Sequence, residues 1–483
     1  MKKLFIFVGM FCFLVVACLN LPTITNVSAE ILNLQDVENL IWEEDGLHFL
    51  EFGLYPRSFV GETLNTRFEE NFDENSGELF GLAPVSYFTA SGATAHQQGF
   101  VEKLNPAFMY RGEQFVRVKS LRHAIGGAYV FNDGTEIDES GTVYWFKVEP
   151  IRWIVLNMEQ LQDGTAIEIE LVAKESLVSN ISFSDFNVTS IWDYSTARGF
   201  LNGTAGGNFA NGRSFIDDAF NDNERAFIRD TKVSTNGPGD TFTGSPGAPL
   251  SETTDRIFLL SYSEVVGNPH VFGNLPMTEN NVARTLRPTD YGLANNARVS
   301  YQVAGFEEFN GNVWWWLRTA WGGGGTGGFM SFRGHQNGQR TENLNNGLRP
   351  AMRLSLDVFE NLADITINVN DDGEIMSTTS QWVLKGNDIT IFIQPELINY
   401  IIGITINGIS KNEQALSEII ENGYFILQDV AGDTTVNIIL PTYKDNNNNN
   451  SRIWAYILIG LSVLIMASVV VYFIVRSKQN YRK

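Results

Sequence analysis

The chain has almost no cysteine. Its 483 residues include two, Cys12 and Cys18, and both lie close to the N-terminus. No disulfide can therefore form within the remainder of the chain, and its stability has to come from buried apolar surface. The same absence excludes cysteine nucleophiles, zinc–thiolate sites and iron–sulfur clusters from that remainder.

Histidine and basic residues are also scarce. The five histidines are His48, His96, His123, His270 and His335. They show no His-Glu-x-x-His or His-x-His spacing, so we expect no zinc hydrolase site, no obligatory metal and no cofactor. The formal net charge of −21 repels phosphate backbones, so we expect no nucleic-acid partner.

The N-terminus reads as a leader. Lys2 and Lys3 precede an apolar run at 4–17, and Val27-Ser28-Ala29 supplies small residues for cleavage, which predicts a signal peptide at 1–29. Val15-Val16-Ala17-Cys18 also resembles a lipobox, the motif at which bacterial lipoproteins are cut and acylated on the new N-terminal cysteine. Cleavage after Ala29 and lipidation of Cys18 both stay open as alternatives.

The C-terminus reads as a membrane anchor. Residues 453–475 carry no charge, and at roughly 1.5 Å per residue a helix of that length crosses a bilayer of about 30 Å. The basic tail 476–483 is expected in the cytoplasm. An asparagine-rich linker at 441–452 precedes the anchor. These features predict a single-pass cell-membrane protein with an extracellular ectodomain.

Residues 363–440 show short β-branched runs separated by turn signals, such as 402–406 before Asn407-Gly408. This pattern predicts a small antiparallel all-β module. Gly386-Asn387-Asp388 and Asp433-Thr434-Thr435 resemble the internalin-type B repeats of bacterial surface proteins, and 414–421 is interpreted as an inserted helix. The resemblance implies a spacer or adhesion element.

The larger unit, 41–358, carries four motifs in order. They are Phe52-Gly53-Leu54-Tyr55-Pro56, Glu149-Pro150-Ile151-Arg152-Trp153-Ile154-Val155-Leu156, Trp315-Trp316-Leu317-Arg318 and Arg349-Pro350-Ala351-Met352-Arg353-Leu354. Together they resemble a bacterial extracellular domain of unknown function, which is similar to the C-type-lectin-like fold of formylglycine-generating enzymes. The resemblance implies a twisted sheet flanked by helices and long loops.

Local periodicity in the same unit mixes two patterns. Residues 195–202 and 215–229 have helical spacing, whereas 152–156, 167–172 and 257–260 are apolar and β-rich. We therefore expect an α+β, lectin-like main domain. Formylglycine-generating activity is excluded, because those enzymes bind copper through a cysteine pair that this unit lacks.

The stretch 329–346 is poor in apolar residues and rich in amide and guanidinium donors. In lectin-like folds the late loops commonly form the ligand surface, so the resemblance implies a contact face here. The candidate ligand-binding residues are Arg333, His335, Asn337, Arg340 and Asn343. A solvated hairpin without a ligand is the alternative. The Trp314–Trp316 run is either a sugar-stacking platform or core packing.

We therefore expect a non-enzymatic ligand-binding or adhesion ectodomain whose partner is a carbohydrate or a protein. An envelope enzyme, such as a carboxylate-dependent wall-glycan hydrolase, stays open because the separation of two carboxylates is a property of the fold. A purely structural surface protein is the third hypothesis.

The terminal segments give the first prediction. Full-length protein is expected in the membrane fraction, with its ectodomain cut by protease added to intact cells. Deleting 453–483 should release the protein if the leader is cut after Ala29, whereas acylation of Cys18 would retain it until Cys18→Ser is added. Full-length protein found soluble in the cytosol with an intact leader contradicts both alternatives.

Overall fold

A computed structural model of the chain describes residues 41–93, 100–121, 129–138, 141–160, 167–184, 190–210, 212–245, 247–300, 304–322, 325–371, 374–393 and 395–440. The predicted signal peptide, Cys18, the linker, the membrane helix and the tail lie outside these ranges. Within them, no helix combines the length and apolar character needed to cross a bilayer.

Strands make up most of the regular structure. They are β1 (Trp42–Glu44), β2 (Leu47–Phe59), β3 (Phe72–Asp73), β4 (Glu78–Leu79), β5 (Ser86–Ser91), β6 (Glu102–Tyr110), β7 (Glu113–Lys119), β8 (Val143–Gln160), β9 (Ile167–Ala173), β10 (Thr231–Thr235), β11 (Ser251–Asp255), β12 (Ile257–Leu259), β13 (Trp315–Ala320), β14 (Thr326–Met330), β15 (Gln336–Arg340), β16 (Pro350–Ser355), β17 (Leu362–Asp371), β18 (Glu374–Leu384), β19 (Ile389–Phe392), β20 (Gly403–Ile406), β21 (Ile409–Ser410), β22 (Tyr424–Leu427) and β23 (Thr434–Leu440).

The helices are mostly one or two turns long. They are α1 (Glu62–Glu70), α2 (Thr196–Asn202), α3 (Phe215–Ala219), α4 (Asp222–Arg225), α5 (Tyr262–Gly267), α6 (Pro269–Phe272), α7 (Asp290–Ala294), α8 (Asp357–Glu360), α9 (Pro395–Ile398) and α10 (Glu413–Asn422). Single 3-10 turns form at Trp192–Tyr194, Val282–Arg284 and Glu307–Phe309.

The expected α+β class of the lectin-like main domain is wrong. The structure is mostly β, with 42% strand and 18% helix. The helical spacing at 215–229 does not give one helix, because Phe220 is extended (φ −136°) and the Asn221 side chain accepts a hydrogen bond from Glu224 N, which starts a new helix. Helical periodicity over so few residues marks turns between strands rather than a helical layer.

The chain divides into two compact units. Among the described residues, the first contains those up to Ala363 together with 382–392 and 424–432. Its nine-stranded sheet has the order β12-β16-β9-β8-β7-β6-β5, with β2 paired to β8 and β1 to β2. The long strand β8 organises this sheet, because it pairs with β7 through its first residues, with β2 through its middle and with β9 through its last.

Side chains of β8 enter two separate cores. Phe146 packs in the main core with Tyr291, whereas its neighbour Trp145 packs on Phe68 in a smaller cluster. Successive side chains of a strand point to opposite faces, so one strand can fill both cores. Trp145, Phe146 and Trp153 are all 0% exposed.

The Phe52–Pro56 motif has a packing role. Tyr55 is fully buried, with its ring near those of Phe88, Phe215 and Tyr291. Gly53 has φ +73°, and a Cβ there would lie 2.4 Å from the Phe220 ring. Glycine is therefore required at this position both by the backbone conformation and by space.

The second unit contains 364–381, 393–423 and the described part of the chain after 433. Its sheet has the order β18-β17-β23-β20-β21. The predicted β character is present, but the pairing is not purely antiparallel, because β17 and β23 run parallel. The helix interpreted at 414–421 is α10, which the Asn412 side chain caps and Gly423 ends in a left-handed conformation.

Packing beside β14 gives the second prediction. A Cβ at Gly328 would lie 1.9 Å from the Phe242 ring and 2.6 Å from the Thr319 carbonyl oxygen. Gly328→Ala should lower the free energy of unfolding by about 1–3 kcal/mol, measured by urea denaturation, because a ring and backbone must both shift. Gly267→Ala is the control, because no heavy atom lies within 4 Å of its added Cβ. Equal stability of the two variants would contradict the packing at Gly328.

Candidate functional site

The candidate ligand-binding residues lie on and beside the hairpin of β14 and β15. In this hairpin Phe329 pairs with Asn337, and Met330 with Gln336. β13 completes a three-stranded sheet on the other side of β14. The stretch 329–346 is thus partly strand, with a turn at Ser331–His335 and a connection from Arg340 to β16.

Arg333 and His335 lie at the turn of this hairpin. His335 Nδ1 is 2.8 Å from Ser331 Oγ and 3.2 Å from Asn280 Oδ1. Burial and the charges of Arg333 and Arg284 lower the pKa of His335, which favours the neutral imidazole at physiological pH. The ring is therefore a hydrogen-bonding group and not a cation.

The other three candidates lie elsewhere. Asn337 is exposed on β15, Arg340 forms an ion pair with Glu342 at 2.7 Å, and Asn343 Oδ1 accepts a hydrogen bond from Asn345 N. Asn337 and Arg340 differ by an odd number of positions and so face opposite sides of the strand. The structure brings Arg333 and His335 together at one end of the hairpin and leaves Arg340 and Asn343 at the other.

A row of arginine and aromatic side chains in contact runs through Arg333. The Arg298 guanidinium lies 4.6 Å from the Trp314 ring centroid, and the Trp314 and Phe332 centroids are 4.8 Å apart. The Arg333 guanidinium lies 5.4 Å from the Phe332 centroid and 4.5 Å from that of Phe306. We call these five residues the arginine–aromatic ladder. Arg298 is exposed and the other four are half-buried.

Backbone pairing explains how the ladder forms. An isolated antiparallel bridge between Val299 and Val313 places Arg298 opposite Trp314. Trp315 and Trp316 are fully buried, whereas Trp314, just before β13, is half-buried. The core-packing interpretation is therefore confirmed for Trp315 and Trp316, and sugar stacking stays a prediction for Trp314.

Sequence reasoning missed Arg298 and Phe306 and named Arg333 for a different reason. Trp314 was flagged by its run of tryptophans, but the sequence around Arg298 contains no comparable signal. The ladder draws on four separate segments, so it depends on tertiary pairing and not on a motif.

Other arginines of the sequence motifs have structural partners. Arg318 contacts both Glu264 oxygens and donates to the Leu259 carbonyl oxygen at 2.6 Å. Outside those motifs, Arg198 Nε donates to Asp255 Oδ1, also at 2.6 Å. Arg349 is buried between the rings of Phe272 and Trp315, and its Nε donates to Ala173 O. These arginines hold strands and turns together.

In the part of the chain that the structure describes, burial raises the pKa of three carboxyl groups: Asp218, Glu224 and Asp290. Each accepts a hydrogen bond from a main-chain N–H group, Asp218 from Thr89, Glu224 from Asn221, and Asp290 from both Phe59 and Asn132. These hydrogen bonds stabilise the backbone segments that donate them. Within the described ranges, no three His, Cys, Asp or Glu side chains are grouped to hold a metal ion.

Comparison with known proteins gives one match. A family model described as a domain of unknown function (DUF6273) matches residues 169–356, a segment that includes most of β9, the strands β10 to β16 and the whole ladder. The predicted domain of unknown function is thereby confirmed over these residues. No curated protein and no solved structure matches the chain.

Asp290 gives the third prediction. Burial raises its pKa to about 6 from the usual 3.8, so between these values the unfolded chain releases the proton while the folded one keeps it. The free energy of unfolding should therefore fall as pH rises from about 4 to about 6, by on the order of 3 kcal/mol, and then level off. Urea denaturation across this pH range measures the slope.

Asp290→Asn keeps the shape of the side chain but cannot ionise, so the slope assigned to this group should disappear in that variant. Glu360→Gln, at an exposed position, is the control and should leave the slope unchanged. An identical pH dependence in wild type and Asp290→Asn would contradict the assignment.

Proposed function

We propose that this protein is a non-enzymatic ligand-binding or adhesion protein displayed at the cell surface, and that the arginine–aromatic ladder is its ligand-contact surface. The proposal includes the anchor predicted from residues 453–475, with the tail 476–483 in the cytoplasm. The ligand is a carbohydrate or a protein outside the cell.

The observation that carries this proposal is the half-buried Trp314 ring between a guanidinium and a second aromatic ring. Aromatic faces bind the C–H faces of sugars and apolar side chains, and guanidinium groups add directional donors. Tryptophan and arginine are also the residue types that most often dominate binding energy at protein interfaces. A purely structural protein has no need for such side chains to remain accessible.

The buried carboxyl groups support binding over hydrolysis. A general acid needs a raised pKa and also a free oxygen within reach of the substrate. Asp290, the carboxyl group whose pKa is raised to about 6, already accepts a main-chain hydrogen bond on each oxygen and is 3% exposed. The burial and hydrogen bonds of Asp290 therefore fit a residue that stabilises the fold and not a catalytic acid.

The fourth prediction tests the ladder. Purified full-length protein is expected to bind at least one ligand on a glycan array or an extracellular-matrix panel. Trp314→Ala should weaken that binding about tenfold, equivalent to roughly 1.4 kcal/mol, because the stacking face is lost. Titration of the captured ligand by biolayer interferometry measures the change.

Trp42→Ala is the matched control, because Trp42 is also half-buried and stacks on Phe49, and no arginine of the described ranges lies over its ring. It should bind as tightly as wild type. The proposal fails if the wild type binds nothing on either panel, or if Trp314→Ala binds as tightly as the control.

A further inference from the structure

We propose that the arginine–aromatic ladder selects an anionic glycan, a chain of sugar or polyol units that carry carboxylate or phosphate groups. This inference rests on the proposed function and specifies the ligand class of the same surface. Three observations carry it: the lack of an acidic partner for the two arginines among the described residues, their contacts with aromatic rings, and the net charge of the chain.

Neither ladder arginine has an acidic partner. Across the part of the chain that the structure describes, no carboxylate lies within ion-pair distance of Arg298 or Arg333, and Arg333 Nε is buried without an acceptor. Two exposed arginines elsewhere do have an acidic partner, since Arg152 pairs with Glu51 at 3.1 Å and Arg256 with Asp230 at 3.0 Å.

This lack of partners matters because carboxylates are abundant. The chain has 55 acidic residues against 34 basic ones, yet among the described residues none of these acids pairs with Arg298 or Arg333. The N–H groups of these two arginines that are not buried therefore remain for an external acceptor. Carboxylate and phosphate are the acceptors that match the guanidinium fork with two parallel hydrogen bonds.

Ring stacking holds the two guanidinium groups in place. Arg298 rests on Trp314, and Arg333 lies near both Phe306 and Phe332. Side chains that such ring contacts already order lose less entropy on binding. The ladder thus presents two preorganised anion-binding groups.

The rings between the arginines complete the match. Trp314 and Phe332, 4.8 Å apart, lie between the two cations and offer apolar faces. A glycan that carries anions along its length presents C–H faces between its charges. Such a chain can therefore contact the rings and both guanidinium groups at once, whereas a neutral glycan uses the rings alone.

The charge of the whole protein sharpens the inference. A net charge of −21 repels a polyanion at long range and leaves a neutral sugar unaffected. Any preference for the anionic ligand must therefore come from local contacts. Removing both arginines should not merely abolish the preference but reverse it, so that the neutral glycan binds more tightly.

Three probes of similar length test this by isothermal titration calorimetry with full-length protein at fixed ionic strength. They are maltohexaose, hexagalacturonate and a glycerol-phosphate hexamer. At least one anionic probe should bind tenfold or more tightly than maltohexaose, and the one that does identifies carboxylate or phosphate as the source. Arg298→Gln should weaken anionic binding about tenfold and weaken maltohexaose binding much less.

Arg298→Gln with Arg333→Gln should reverse the order of the probes. Arg256→Gln is the matched control, because it removes an exposed arginine that already has an acidic partner, and it should change nothing. Circular dichroism and thermal melting check that each variant is folded. Because Arg298 is exposed, the single variant keeps the test valid even if loss of half-buried Arg333 destabilises the chain.

The outcomes separate this inference from the proposed function. If a neutral glycan or a protein binds in a way that needs Trp314 but neither arginine, the ladder is still a binding surface and the anionic preference is wrong. If an anionic probe binds equally well to wild type, Trp314→Ala and Arg298→Gln, the ligand sits elsewhere and both proposals fall.

Discussion

The structure depends on burial of aromatic rings along β8. With no cysteine after Cys18, no disulfide can hold this chain together, and the strand that pairs with β2, β7 and β9 also places Trp145, Phe146 and Trp153 in the interior. Because neighbouring side chains point to opposite faces, the same strand supports two cores. Each ring adds a large apolar area, and that area is what stabilises the sheet.

The arginines divide according to what surrounds them. Arg318 and Arg198 are held by Glu264 and Asp255, and Arg349 lies between two rings in the interior, so these residues stabilise turns and strand ends. A buried charge without such contacts would be strongly destabilising. Arg298 is exposed and Arg333 half-buried, both contact aromatic rings, and neither pairs with an acid among the described residues, which leaves them available to a ligand.

Many of the β-strands could be predicted from the sequence, whereas the fold class could not. The apolar runs 152–156, 167–172 and 257–260 fall within or largely overlap β8, β9 and β12, because β-branched residues favour extended backbone. The predicted α+β fold class was wrong in part because of 215–229, where Asn221 interrupts a helical pattern and starts a second short helix. The parallel pairing of β17 with β23 was also missed, since strand direction depends on partners that lie far apart in sequence.

The sequence by itself determined what chemistry is absent, the acidic charge, the two apolar terminal segments and the presence of a tryptophan-rich strand. Only the tertiary structure decided which tryptophan stays accessible and which arginines lack an acid. The bridge between Val299 and Val313 brings Arg298 next to Trp314, whereas Arg318 forms an ion pair with Glu264, which lies far from it in sequence. The partner of each arginine depends on which distant segments of the chain pair. That pairing depends on burial of the core and not on a local pattern of residues.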